Sequence, residues 1–113
     1  MVEDDEPIRE AVEEVLKDEG WGVSAVATLA EARATLASES FDVMLLDLML
    51  EDGAGEDLLE ELRAGGKRLS TVIMSASTRA QATAQRYGAD MLRKPFEIET
   101  LLATIDRAVQ QRK

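Results

Sequence analysis

Asp47 is the lone acid in the apolar run Val43-Met44-Leu45-Leu46-Asp47-Leu48-Met49-Leu50. An unpaired carboxylate is costly to bury, so this one calls for a cation, a metal or a proton. Its candidate partners are distant in the chain. Glu3-Asp4-Asp5-Glu6 follows Val2, Ser75 follows Val72-Ile73-Met74, and Lys94 precedes Pro95. Several carboxylates brought together need a counter-charge to stay ionised. Lys94 supplies one unit, and carboxylate and carbonyl oxygens suit magnesium. A divalent ion beside an ammonium would spread the charge of a phosphoryl group in transfer. Asp47 is then the candidate nucleophile, and an aspartyl phosphate the expected intermediate.

This chemistry requires distant segments to converge, and the chain has a pattern that does so. Pro7 opens a helix capped by Asp5 or Glu6, with Ile8, Ala11, Val12, Val15 and Leu16 as its apolar stripe and Gly20 at its end. Trp21, Val23 and Ala25 alternate as in a short strand. Thr28-x-x-Glu31 is a capping box for a helix carrying Leu29, Ala32 and Leu36. Val43 to Leu46 is a continuous apolar strand, of the kind buried on both faces of a parallel sheet. Asp52-Gly53 and Gly55 mark a loop, and Leu58, Leu59 and Leu62 a third helix broken at Gly65-Gly66. Thr71 to Met74 is a strand, about Arg79 to Tyr87 a helix, Met91-Leu92 a short strand, and Glu97 to Gln110 the last helix. This alternation predicts an α/β, doubly wound parallel sheet with helices on both faces. Sites in such sheets form at the carboxyl ends of the strands, where the acids, Ser75 and Lys94 all fall.

Composition narrows the function. The 113 residues, 45% hydrophobic and 32% charged, are enough for one domain, expected over 1–113. The chain lacks cysteine and histidine, which removes disulfides, thiolate metal sites, a cysteine nucleophile and a histidine base. A net charge of −10 argues against nucleic-acid binding. No apolar run is long enough for a membrane span and no signal peptide precedes the chain, so a cytoplasmic protein is expected.

Together, VEDDEPIRE, MLLDLMLEDG, VIMSA and RKPF resemble the signature of bacterial two-component response-regulator receiver domains, in order and over essentially the whole chain. The resemblance implies a (βα)5 flavodoxin-like three-layer sandwich with a five-stranded parallel sheet in the order 2-1-3-4-5. It also implies a role for each site residue. Asp47 accepts phosphate from the phosphohistidine of a sensor histidine kinase or phosphotransfer protein. Asp4 is a direct Mg2+ ligand, Met49 gives its backbone carbonyl, and Glu3 acts through water. Ser75 hydrogen-bonds the phosphoryl group, Lys94 pairs with it, and the Lys94-Pro95 bond is cis. The output partner or effector domain is left open, with no nucleic acid or membrane contact expected of this domain.

Four features depart from that pattern. Only Met1 and Val2 precede Glu3, so the first strand is expected to be short, through a mis-set start or a trimmed end. Glu51 stands where proline is common, the Ser75–Lys94 segment is abbreviated, and Met91 takes the place of an aromatic that swings inward on activation. Other functions compete. A phosphate-independent pseudo-receiver would bind proteins only. A magnesium-dependent aspartyl-phosphate hydrolase would need a second aspartate at Met49. A flavodoxin-like ligand module would need a glycine-rich loop where the acids stand. Singly, Glu3 to Glu6 could be a charged helix start, Ser75 a structural hydroxyl, and Met44, Met49, Met74 and Met91 core packing.

Overall fold

The computed structural model describes residues 1–66 and 69–110; the last residues of the expected 1–113 unit lie outside the described residues. Helix α1 (Glu6–Asp18) starts where Asp5 Oδ1 accepts the Ile8 N–H at 3.1 Å, with Pro7 in its first turn. It ends at Glu19, and Gly20 follows at φ 93, the left-handed region that glycine enters without steric cost. Helix α2 (Leu29–Ser38) is capped as its sequence implies, Thr28 Oγ1 accepting the Glu31 N–H at 3.1 Å. Glu31 in turn accepts from the Ala27 N–H and the Thr28 hydroxyl.

Three parallel strands form the sheet: β1 (Val43–Asp47), then β4 (Ser70–Ser75), then β5 (Asp90–Arg93). Between β1 and β4 lie the antiparallel pair β2 (Met49–Leu50) and β3 (Gly53–Ala54), then helix α3 (Gly55–Ala64). Helix α4 (Ala80–Tyr87) precedes β5, and α5 (Ile98–Gln110) follows it. On the far side of β1, Val2 forms isolated parallel bridges to both Leu46 and Val26. The expected order 2-1-3-4-5 is therefore present, with its first two positions reduced to single bridges. Trp21 to Ala25 does not become a strand. A ladder propagates only where backbone lies alongside; among the described residues the bonds to the first segment are Val26 N–H to Met1 O, Glu3 N–H to Val26 O and the Met1 amine to Ser24 O, while the Trp21 N–H turns back to Leu16 O.

Successive strand residues point to opposite faces and fill two cores. Met44, Leu46 and Ile73 pack with Leu29, Ala32, Leu58, Leu59, Ala80 and Ala84 of α2, α3 and α4. Leu45, Val72, Met74 and Leu92 pack with Val12, Leu16, Leu101 and Ile105 of α1 and α5. The middles of β1 and β4, Met44–Leu46 and Val72–Met74, are apolar without a break because both faces are covered. This sandwich holds the carboxyl ends of its strands at one rim.

Candidate functional site

Each site residue sits where its strand stops. Glu3 follows the Val2 bridge, Asp47 ends β1, Ser75 ends β4 and Lys94 comes directly after β5. Register aligns them: Asp47 lies opposite Met74, Ser75 opposite Arg93, and the Lys94 N–H donates to the Ser75 carbonyl at 2.9 Å. The Lys94-Pro95 bond is cis, as the motif implied.

Lys94 answers the question raised by the buried acid. Its Nζ donates to Asp47 Oδ2 at 3.0 Å and also to Glu3 Oε1. Glu3 is 0% exposed and Asp47 7%. The remaining oxygens are taken as well, Asp47 Oδ1 by the Met49 N–H at 3.0 Å and Glu3 Oε2 by the Asp5 N–H at 3.3 Å. Arg9 donates to the Glu3 carbonyl at 3.0 Å, a contact between first helix and site that the sequence did not reveal.

One ammonium serves two buried carboxylates, and Glu3 yields. Burial, then the hydrogen bond to Asp47, outweighs Lys94 and raises the Glu3 carboxyl to about 7. Burial works to lower the Lys94 ammonium, but its hydrogen bonds to Glu3 and Asp47 win and the net shift is upward. Without a divalent ion, folded Glu3 thus holds its proton between about pH 4.5 and 7, where the unfolded chain has lost it. The folded state binds more protons across that window, so stability falls as pH rises through it. Thermal melts in chelator should show this fall. The fall should be shallower in Glu3→Gln, and the difference isolates Glu3 from every other group.

Asp4 joins Glu3 and Asp47 in a set whose carboxylate oxygens lie within 4.8 Å of one another. Among the described residues Asp4 makes no hydrogen bond or ion pair, and it is only half-buried. Its oxygens are therefore open to a cation. Asp5, by contrast, is committed to the α1 cap. The hard-oxygen donor set fits magnesium, and Lys94 alone leaves it with surplus negative charge. Ser75 is buried, and its Oγ accepts the Ser77 N–H at 3.0 Å, which leaves the hydroxyl proton free to donate. The Met49 side chain is 73% exposed, so only its backbone faces this chemistry.

Residues 1–106 match the family profile of the response regulator receiver domain. The chain belongs to that family. RssB, a swarming motility regulation protein of Serratia marcescens, is 34% identical over 115 residues, which is 99% of this chain and 52% of RssB. The DNA-binding transcriptional regulator NtrC of Escherichia coli K12 is 33% identical, matching 96% of this chain and 24% of NtrC. The chain spans about half of the length of RssB and about a quarter of that of NtrC. The non-phosphorylated HemR receiver domain from Leptospira biflexa superposes with a TM-score of 0.89 at 30% identity, over 99% of this chain and 93% of that one. The NtrX receiver domain from Brucella abortus gives 0.88 at 28% identity, over 97% and 96%. This is a response regulator receiver domain of a two-component system, on a flavodoxin-like fold. No helix among its described residues is long and apolar enough to cross a membrane.

Met91, singled out as a departure, also finds its place, as does Tyr87 at the end of α4. Met91 lies opposite Ile73 and packs, partly buried, against the α2–α3–α4 core. Tyr87 lies away from the site; its hydroxyl donates to Glu60 at 2.7 Å, and the guanidinium of Arg63 sits 4.8 Å from its ring centroid.

Proposed function

We propose that this receiver, taken as one unit over 1–113, accepts a phosphoryl group on Asp47 in a magnesium-dependent reaction and switches partner binding as a result. The observation that carries this reading is the Lys94 ammonium bridging Glu3 and Asp47 at the strand ends. Asp4, Asp47 and the Met49 backbone carbonyl would hold Mg2+, with Glu3 acting through a water. Bound there, the ion would lower the charge that repels an incoming phosphoryl group. An Asp47 oxygen attacks phosphorus, the phosphorus–nitrogen bond of the donor's phosphohistidine breaks, and the imidazole leaves with its electron pair. Lys94 shifts from carboxylate to phosphoryl oxygen, and the Ser75 hydroxyl donates to a second one.

The domain is then a switch that catalyses only its own phosphorylation and dephosphorylation. Its donor is a sensor histidine kinase or phosphotransfer protein, its site of action cytoplasmic, and its output a protein partner or effector domain. The excess of acid makes direct nucleic-acid contact by this domain unfavourable. Incubation with magnesium and a small acyl-phosphate donor should add one phosphoryl group by intact mass. Neither Asp47→Asn nor the chelated protein should gain it. An unchanged mass in folded protein would point to a pseudo-receiver, and steady turnover of a phosphate ester to a hydrolase.

A further inference from the structure

Asp52 sits in the turn between β2 and β3, just after the phosphoacceptor strand. Its carboxylate reaches to a different segment. Oδ1 accepts the Leu29 N–H at 2.9 Å and Oδ2 the Ala30 N–H at 3.1 Å, at the start of α2. Helix N-termini carry N–H groups without helical partners and favour negative charge. Here Thr28 takes the third such group, from Glu31, so the first turn of α2 is fully served.

The rest of the hairpin is equally close-set. A Cβ on Gly53 would lie 2.9 Å from the buried Leu29 Cδ1, and one on Gly55 would lie 2.6 Å from the Asp47 carbonyl oxygen. The hairpin is therefore pinned to α2 at its tip and to Asp47 at its base. Met49 lies between those two points, with its N–H on Asp47 Oδ1. Thr28 and Glu31 already form a cap of their own, so Asp52 is not needed to start the helix. What its two bonds add is a fixed distance between α2 and the loop beside Asp47.

We propose that Asp52 is a positioning residue for the cation held beside Asp47: its carboxylate latches the β2–β3 hairpin onto α2 and so fixes the backbone of Met49. This rests on the magnesium reading above. Partners one shell out from a metal ligand commonly set affinity in this way.

Magnesium titration by calorimetry tests it, with the unsubstituted chain, Asp52→Ala, Asp52→Asn and Thr28→Ala all measured well below their melting temperatures. Asp52→Ala should weaken magnesium binding about tenfold. Asp52→Asn keeps one acceptor oxygen and should fall between the two. Thr28→Ala frays the same helix terminus without touching the hairpin, so it should lower the melting temperature and leave magnesium affinity unchanged. Amide exchange at Leu29 and Ala30 reports the latch without any metal, and should quicken in Asp52→Ala. Affinity unchanged in Asp52→Ala, or lost equally in Thr28→Ala, would overturn the positioning role. If the unsubstituted chain binds no magnesium, the metal site itself fails and the role goes with it, whatever those amides do.

Discussion

Lys94→Met should slow phosphoryl transfer to Asp47 by about a hundredfold or more, the usual cost of removing a group aimed at developing charge. It should also destabilise the magnesium-free protein. Glu3 and Asp47 are both buried, and Lys94 is the cation they share. Removing one partner of a buried pair costs about 3–5 kcal/mol, since the other charge is left uncompensated. The loss here should fall at the low end near pH 6 and grow above pH 7, because Glu3, raised to about 7, can meet the missing charge by keeping its proton. Urea unfolding in chelator at the two pH values measures this. Added magnesium should restore more stability to Lys94→Met than to the parent, because a cation then replaces the lost one. The transfer rate should stay slow, because no amine follows the phosphoryl oxygens. Stability regained without rate separates the two roles of Lys94.

The second large effect is expected at Gly55→Ala, where the constraint is backbone against backbone. The new methyl would lie 2.6 Å from the Asp47 carbonyl oxygen and 2.9 Å from Leu48 Cα. Neither is the end of a flexible side chain, so the start of α3 or the end of β1 must shift. Overpacking of this kind costs about 1–3 kcal/mol. Because the displaced strand end carries Asp47, the proposed phosphoacceptor, transfer should slow along with the loss of stability. Gly22→Ala is the control: a Cβ there meets nothing within 4 Å, and both stability and transfer should stay close to the parent. Denaturant midpoints and rates of mass gain from an acyl-phosphate donor measure both.

Local signals explain how much was legible beforehand. The Thr28 cap, Pro7 in the first turn of α1 and the unbroken apolar strands each encode their element within a few residues, and each formed where the pattern placed it. The convergence of Glu3, Asp4, Asp47 and Lys94 was legible for a topological reason, since parallel strands deliver their carboxyl ends to one rim. Trp21 to Ala25 misled because alternation specifies a strand only where a neighbouring backbone can pair with it. Asp52-Gly53 and Gly55 predict a loop where the structure forms the β2–β3 hairpin, although Asp-Gly after an apolar run is a turn signal. The bonds from Asp52 to Leu29 and Ala30 and from Arg9 to Glu3 left no local trace. They join segments whose closeness is decided by packing, and an exposed acid or arginine has the same letter whether it is solvated or tethered.

The central claim is that Asp47, among three neighbouring carboxylates, is the one that takes the phosphoryl group. Hydride reduction of the phosphorylated protein converts an acyl phosphate to an alcohol, and peptide mass spectrometry then finds the altered residue. The account predicts homoserine at position 47, formed only when magnesium and the acyl-phosphate donor are both present. Reduction at Glu3 or Asp4 instead, or an altered position 47 with magnesium chelated away, would contradict it.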